Sequence, residues 1–284
     1  GFRRMNMSYK IVGDSCLDLT RQMREDSRFQ IVPLTLQVDD TMIVDDESFD
    51  QKAFLQLVKE SQECPKTACP SPEAFKKAYE CAEEDIYVIT LSSHLSGSYN
   101  SALVGKNLYE EEHGPKNILI IDSESAASGE LNLALAICDL YEQGLDFAQI
   151  SRQILEMRDQ QQTYFVLDSL EYLRKNGRLT GLQAFFATAL NIKPVMGADH
   201  GVIIKLDQAR GVSKALTRMC EIAVRETKTD TNRRIVIAHC NAQKRAIQVK
   251  EELESLGMSG QIVITETAGV STLYAGDGGI IMAL

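Results

Sequence analysis

The seven cysteines (Cys16, Cys64, Cys69, Cys81, Cys138, Cys220 and Cys240) form no CxxC pair and are odd in number. The sequence therefore lacks the signature of a disulfide framework or a zinc site. Reduced thiols in a cytoplasmic protein are the expectation. Positive charge is also short: 30 Lys and Arg stand against 40 Asp and Glu, a net charge of −10. Duplex binding draws most of its affinity from cations on phosphates, so no nucleic-acid partner is expected. Stable adsorption to an anionic membrane is disfavoured for the same reason. No apolar run reaches the roughly 18 residues of a spanning helix. No secretory signal pattern occurs, and residues 1–4 are set aside from the fold argument. Nucleotide motifs are missing too: there is no GxGxxG after a strand and no GxxxxGKS or GxxxxGKT. No cofactor and no metal are expected.

What remains is a chain with the balance of a globular protein, 44% hydrophobic and 25% charged. At 284 residues it has room for one large or two ordinary domains and can bury a core without staples. Short apolar runs at 9–13, 31–38, 86–91 and 118–122 predict strands. Amphipathic stretches at 49–61, 73–83, 99–112 and 129–142 predict the helices between or after them. That alternation points to an α/β fold with a parallel sheet. "IYVITL" and "NILIID" are apolar throughout, as strands covered on both faces should be. The polar helical stretch 146–162 reads as a bridge. Beyond it, strands are predicted at 164–167, 202–206, 234–239, 261–265 and 279–283. Helices are predicted at 181–189, 213–226 and 242–256. The expected division is an N-terminal domain over 1–160 and a C-terminal domain over 161–284.

In such folds ligands gather at the carboxyl ends of strands. Three loops there are rich in small polar residues: Asp14-Ser15-Cys16-Leu17-Asp18-Leu19, Ser92-Ser93-His94-Leu95-Ser96-Gly97-Ser98 and Asp122-Ser123-Glu124-Ser125. A fourth, Lys66-Thr67-Ala68-Cys69-Pro70, precedes a good helix start at Ser71-Pro72. Around Gly97 a helix N-terminus offers free N–H groups, which suit a carboxylate or phosphate. Helix capping by Ser96 and Ser98 is the competing reading. The loop 174–181 carries cations that either clamp an anion or form a solvated turn.

Hydrolysis is the rival chemistry, with Ser96 or Ser93 as nucleophile of a hydrolase or acyltransferase. A serine nucleophile needs a histidine base held by a third group. Only His94, His113, His200 and His239 are present, and no GxSxG elbow occurs. An activated ester would distinguish the two, because burst acylation of Ser96 would mark an enzyme.

Taken in order, "DSCLDL" (14–19), "VPLTLQVDD" (32–40), "KTACPSPEAF" (66–75), "LSSHLSGSYNSA" (91–102), "IIDSESAASG" (120–129), "LEYLRKNGRLTG" (170–181) and "LNIKPVM" (190–196) resemble the DegV family, the lipid-binding subunits of bacterial fatty-acid kinase. The resemblance runs from about residue 9 to the C-terminus. It implies a two-domain DegV-like fold, with a parallel-sheet N-terminal domain and a mixed α/β C-terminal domain. It also implies a non-catalytic carrier that buries a long-chain fatty acid such as palmitate, stearate or oleate. The carrier presents the carboxylate to a kinase subunit, and transient membrane contact is compatible with such cargo. The family's carboxylate-binding threonine and serine map to Thr67 and Ser96, beside Gly97. Its GGR arginine maps to Arg178, with Asn176 replacing the first glycine, and Ser93 is a further candidate for head-group support. The arginine linked to kinase docking maps to Arg210.

One departure stands out. The family's C-terminal H-x-G-x-G histidine is Tyr274 here. Tyrosine donates a hydrogen bond to a carboxylate but supplies no imidazolium. Either the head group is held differently, or phosphotransfer is weakened or absent. For the acyl tail, Leu182, Phe185, Phe186 and Ile192 are candidate tunnel residues, with ordinary helix packing as the alternative. About 15 buried methylenes at ~0.8 kcal/mol each give on the order of ten kcal/mol before ordering costs. Another amphiphile, such as a lysolipid or isoprenoid acid, would use the same physics.

Overall fold

The computed structural model describes residues 8–186, 189–227 and 230–284, so residues 1–4 lie outside the described residues. The first half of the chain gives β1 (Tyr9–Asp14), α1 (Arg21–Arg24), β2 (Phe29–Val32), β3 (Thr35–Val38), β4 (Thr41–Val44), α2 (Gln51–Lys59), β5 (Lys66–Ala68), α3 (Pro72–Tyr79), β6 (Asp85–Thr90), α4 (Ser98–His113), β7 (Asn117–Asp122), α5 (Ser128–Glu142) and α6 (Phe147–Gln160). The second half gives β8 (Thr163–Val166), α7 (Glu171–Lys175), β9 (Ile192–Asp199), β10 (Val202–Arg210), α8 (Val212–Glu226), β11 (Ile235–His239), α9 (Gln243–Ser255), β12 (Ile262–Glu266), α10 (Gly269–Ala275) and β13 (Ile280–Ala283).

Strands β2-β1-β6-β7 form an all-parallel sheet. Its alternate side chains feed two cores. Ile11, Tyr87, Ile89 and Ile121 face α5 and α6, while Val12, Ile86, Val88 and Ile118 face α3 and α4. This double cover is why the strands read as unbroken apolar runs. A mixed six-stranded sheet runs β10-β9-β8-β13-β11-β12. One face carries Tyr164, Val166, Ile237 and Met282 against α8 and α9. The other carries Phe165, Ala238 and Ile281 and looks toward the loops at the carboxyl ends of the parallel strands. Ser128, at the start of α5, joins the two layers: its Oγ donates to Ile281 O (2.6 Å) and accepts from Ala238 N (3.0 Å).

Two expectations need correction. The run 31–38 is two strands. Pro33 lacks an amide and cannot continue a ladder, so β2 stays in the parallel sheet while β3 joins the antiparallel β4-β3-β5 sheet. The predicted helix at 181–189 is reduced to a single 3-10 turn, Gln183–Phe185, with residues 187 and 188 outside the described residues. Gly181 at φ +85° precedes it, a left-handed backbone that ends rather than starts a helix. The β9–β10 hairpin turns on His200 (φ 48°) and Gly201 (φ 85°), the two left-handed residues of a type I′ turn. All seven cysteines are free. Among the described residues no helix is long and apolar enough to cross a membrane.

Candidate functional site

Asp14 ends β1 fully buried, and its carboxylate accepts from Cys16 N (3.1 Å) and Leu91 N (2.7 Å). These bonds bring the loop after β1 against the loop after β6. Between them and the open face of the mixed sheet lies a cleft of about 780 Å³ including its mouth. Its walls are mostly carbon: Leu91 and Leu95 from the parallel half, Phe165, Leu167, Leu173, Ile203 and Ile281 from the mixed sheet and its connections, and Val270 and Ala275 from α10.

Three polar side chains meet at one end. Thr67, on β5, lies 3.1 Å from Tyr274 through their hydroxyl oxygens. The Arg178 guanidinium stands 5.7 Å from the Tyr274 ring centroid, in cation–π range. Arg178 also donates from Nε (3.1 Å) and Nη2 (2.8 Å) to Leu95 O, and from Nη1 to Asn176 O (2.5 Å). Its fork thereby fixes the loop that carries Ser96. Asn176, where the family motif has glycine, donates to Pro65 O (3.0 Å) and Tyr172 O (2.9 Å). It fastens the end of α7 to the approach of β5. Among the described residues no carboxylate lies within ion-pair distance of Arg178. A half-buried guanidinium without an acidic neighbour suits an anionic ligand.

The other candidates separate. Ser96 is half-buried and does not line the cleft: its Oγ accepts from Ser98 N (3.2 Å) and donates to Ser98 Oγ (3.3 Å). Gly97 has an ordinary φ of −80°, and a Cβ there would stand 3.1 Å from Cys69 Sγ, a tight contact that the cysteine would have to relieve by a small shift. Ser93 is exposed, with its amide bonded to Asp122. Arg210 is the exposed last residue of β10.

None of Leu182, Phe185, Phe186 and Ile192 lines the cleft. Phe185 is 59% exposed, and Leu182 and Phe186 pack on the outside of the cluster that forms the cleft floor. Gln183–Phe185 is a single turn, so among the described residues no helical face carries Leu182, Phe185 and Phe186 inward, and Ile192 opens strand β9.

Sequence reasoning missed most of the lining. Thr163, Phe165 and Leu167 alternate along β8 and its end, a period-two signal visible in "TYFVL". Cys16 and Ser271 also lie in the wall, 3.4 Å apart. Burial, helped by the nearby Glu130, Asp18 and Asp14 carboxyls, pushes the Cys16 thiol well up, which keeps it un-ionised and a poor nucleophile.

No hydrolytic constellation forms around Ser96 or Ser93 among the described residues. Among the described residues neither Ser96 nor Ser93 has a histidine within hydrogen-bond reach. His239 accepts from Ala242 N through Nδ1 (3.0 Å), and burial lowers its pKa. The one group with metal-ligand spacing among the described residues, Glu80, Glu112 and His113, is exposed. Lys76 already bridges its two carboxylates, 2.8 Å from Glu112 and 3.7 Å from Glu80.

Comparison with known proteins agrees with this architecture. The family model described as "Uncharacterised protein, DegV family" matches residues 8–283. A DegV domain-containing protein of Streptococcus pyogenes serotype M1 is 37% identical over 281 residues, 97% of this chain and 99% of that one. A DegV family protein from Ruminococcus gnavus, solved with vaccenic acid, is 44% identical, with a TM-score of 0.95 over 98% of this chain and 100% of the other. The Streptococcus pneumoniae fatty acid kinase (Fak) B3 protein, loaded with linoleic acid, is 34% identical, with a TM-score of 0.87 over 98% and 99%. With a match spanning almost every residue and relatives alike across their whole length, this chain belongs to the DegV family.

Proposed function

We propose that the chain binds one long-chain fatty acid, of the palmitate, stearate or oleate class, in the cleft between the two sheets. The carboxylate lies at Thr67, Tyr274 and Arg178, and the tail runs along Phe165 and Leu167. The observation that carries this reading is Arg178: an arginine without an acidic partner among the described residues, at the polar end of a carbon-lined cleft. A buried carboxylate is very costly unless paired, and a charge-assisted bond to a guanidinium is among the stronger kinds. Relatives solved with vaccenic and linoleic acids support the choice of ligand. Ser96 joins the head-group set by exchanging its bond to Ser98 for one to the carboxylate, with Gly97 allowing the loop to approach. Ser93 remains at the rim.

The finer part of the proposal is a carrier role. The protein hides the tail and offers the carboxylate to an ATP-dependent fatty-acid kinase, which docks near Arg210 and forms the acyl phosphate. The carrier itself is not the catalyst, works in the cytoplasm, and takes residues 1–160 and 161–284 as the two domains that enclose the lipid. Tyr274 fits this role as a neutral hydrogen-bond donor.

Mass spectrometry of the denatured, purified protein tests the binding step. The expected result is release of a stoichiometric long-chain fatty acid. Recovery of none, together with no uptake of added palmitate or oleate, would overturn the proposal. The carrier step is tested by adding a fatty-acid kinase and ATP and trapping acyl phosphate with hydroxylamine. Acyl hydroxamate is expected from the loaded protein and not from an Arg210→Glu variant.

A further inference from the structure

The cleft is polar at both ends. Opposite the Thr67, Tyr274 and Arg178 end, the wall contains Ser125 and Thr163, only 4% and 8% exposed. Their hydroxyl oxygens are 2.7 Å apart. Strand β8 sets the separation of the two ends. Leu167 sits just past β8 on the side of Tyr274 and Ala275, where its side chain shares a cluster with both. Thr163 is four residues back, roughly 13 Å at ~3.3 Å per residue. Phe165 lies between them on the same face.

We infer that this far end recognises a neutral oxygen, such as a hydroxyl, on the distal half of the acyl chain, with Ser125 and Thr163 as the specificity-determining residues. The inference rests on the fatty-acid reading above and narrows its substrate class.

Three observations carry it. First, the two hydroxyls keep unused capacity. Each is one donor and two acceptors. Beyond their mutual bond, Ser125 Oγ has only a long 3.5 Å contact to Ala126 O. A stop for a plain methyl end would be made of carbon, which needs no partners.

Second, the fold makes room for the Ser125 hydroxyl. A Cβ on Gly129 would fall 1.8 Å from Ser125 Oγ, so α5 carries no side chain there.

Third, the cleft does not end in packed carbon behind this pair. Glu124, Thr163 and Ala198 line both the cleft and an adjoining polar hollow of about 430 Å³ including its open mouth. That hollow also holds Arg158, Asp159, Asp199 and His200. Arg158 is already engaged by Asp159 (2.9 Å) and Glu124 (3.7 Å), so carboxylates outnumber free cations. A second carboxylate on the ligand would be repelled there, whereas a neutral hydroxyl would find acceptors.

Displacement of radiolabelled stearate from the delipidated full chain tests this, using stearic acid and positional isomers of hydroxystearic acid. The expected result is that isomers hydroxylated in the distal half bind about fivefold tighter than stearic acid, the factor of one net hydrogen bond. Isomers hydroxylated near the carboxyl end should show no such gain. In Thr163→Val, and independently in Ser125→Ala, the ratio of hydroxystearate to stearate affinity should fall to about one. If stearate binds and no distal isomer exceeds it, the specificity inference fails while fatty-acid binding stands. If neither stearate nor any isomer binds, the underlying reading fails as well.

Discussion

Arg178 has two tasks that a single substitution separates. Its fork holds Leu95 O with two N–H groups, and its Cζ stands 5.7 Å over the Tyr274 ring centroid. Removing it costs both the loop anchor and the positive charge. Arg178→Ala is therefore expected to weaken palmitate binding about 10- to 100-fold, the equivalent of a charged hydrogen bond, measured by isothermal titration. Arg178→Lys keeps the charge but loses the planar fork, so it should recover less than half of that loss on a logarithmic scale. Equal affinity in all three proteins would remove Arg178 from the head-group site. Glu130 behaves differently. Burial first, then the neighbouring Asp14 charge, pushes its carboxyl well above the ordinary range. A carboxyl whose folded pKa is raised contributes stability below its unfolded pKa and loses it as pH rises through the folded one. Glu130→Gln removes that loss. Denaturant unfolding should show the variant gaining on the parent as pH climbs from 5 to 8, and a constant difference would contradict the assignment.

The short helix α10 is held from outside its own sequence. Ala268 at its N-cap has no side-chain oxygen, so the free amides are satisfied by carboxylates from the first half of the chain. Asp18 accepts from Ala268 N (2.9 Å), and Asp45 accepts from Gly269 N (2.8 Å) and Val270 N (2.9 Å). Because α10 presents Val270, Ser271 and Tyr274 to the cleft, these bonds set one wall of the site. Gly269 is required by closeness: a Cβ would meet Asp45 Oδ1 and Leu36 Cδ1, each at 2.6 Å. Gly269→Ala should lower stability by roughly 1–3 kcal/mol, as overpacking does, and weaken fatty-acid binding in parallel; unchanged unfolding would show that the wall yields freely. Burial lifts Asp18 to about 7 and Asp45 to about 6. Both groups therefore add to the stability lost as pH rises from about 4 to 7. This element also marks the limit of what sequence discloses. Local pattern located the parallel strands and α2 through α6, because their apolar periods are self-contained. "GVSTLYA" carries no cap of its own and does not read as a helix, since its stabilising carboxylates lie more than two hundred positions away. Pro33 was a visible breaker, yet the run 31–38 still read as one strand, because both halves are equally apolar. Motif resemblance singles out Thr67, Arg178 and Tyr274, which the fold brings together at one end of the cleft. The lining at Thr163 and Phe165 depends on which sheet face stays uncovered by helices, and period-two alternation alone does not decide that.

On the scale of the whole molecule, the cleft is a seam. Its walls come from the parallel half through Leu91 and Leu95 and from the mixed sheet through Phe165 and Ile281, so a tail lying in it would touch both layers at once. Direct bonds already join them at Ser128, at Ser125 with Thr163, and where Ser92 Oγ donates to Gly201 O (2.8 Å). A ligand that binds only when both walls are assembled stabilises the folded state by mass action, about 2.7 kcal/mol at a hundredfold excess over Kd. At roughly 2–4 °C per kcal/mol for a chain of this class, delipidated protein should melt about 5–10 °C below protein reloaded with palmitate, as read by scanning calorimetry. Hydrogen exchange locates the effect. Protection on loading should rise at 91–98, α7, α10 and the β8–β13 pair, which wall the cleft, and stay level in α3 and the outer turn of α9, which do not. Protection spread evenly over the chain would mean that the lipid acts on global stability without occupying this seam. Protection confined to one half would mean that the tail lies on one layer rather than between the two.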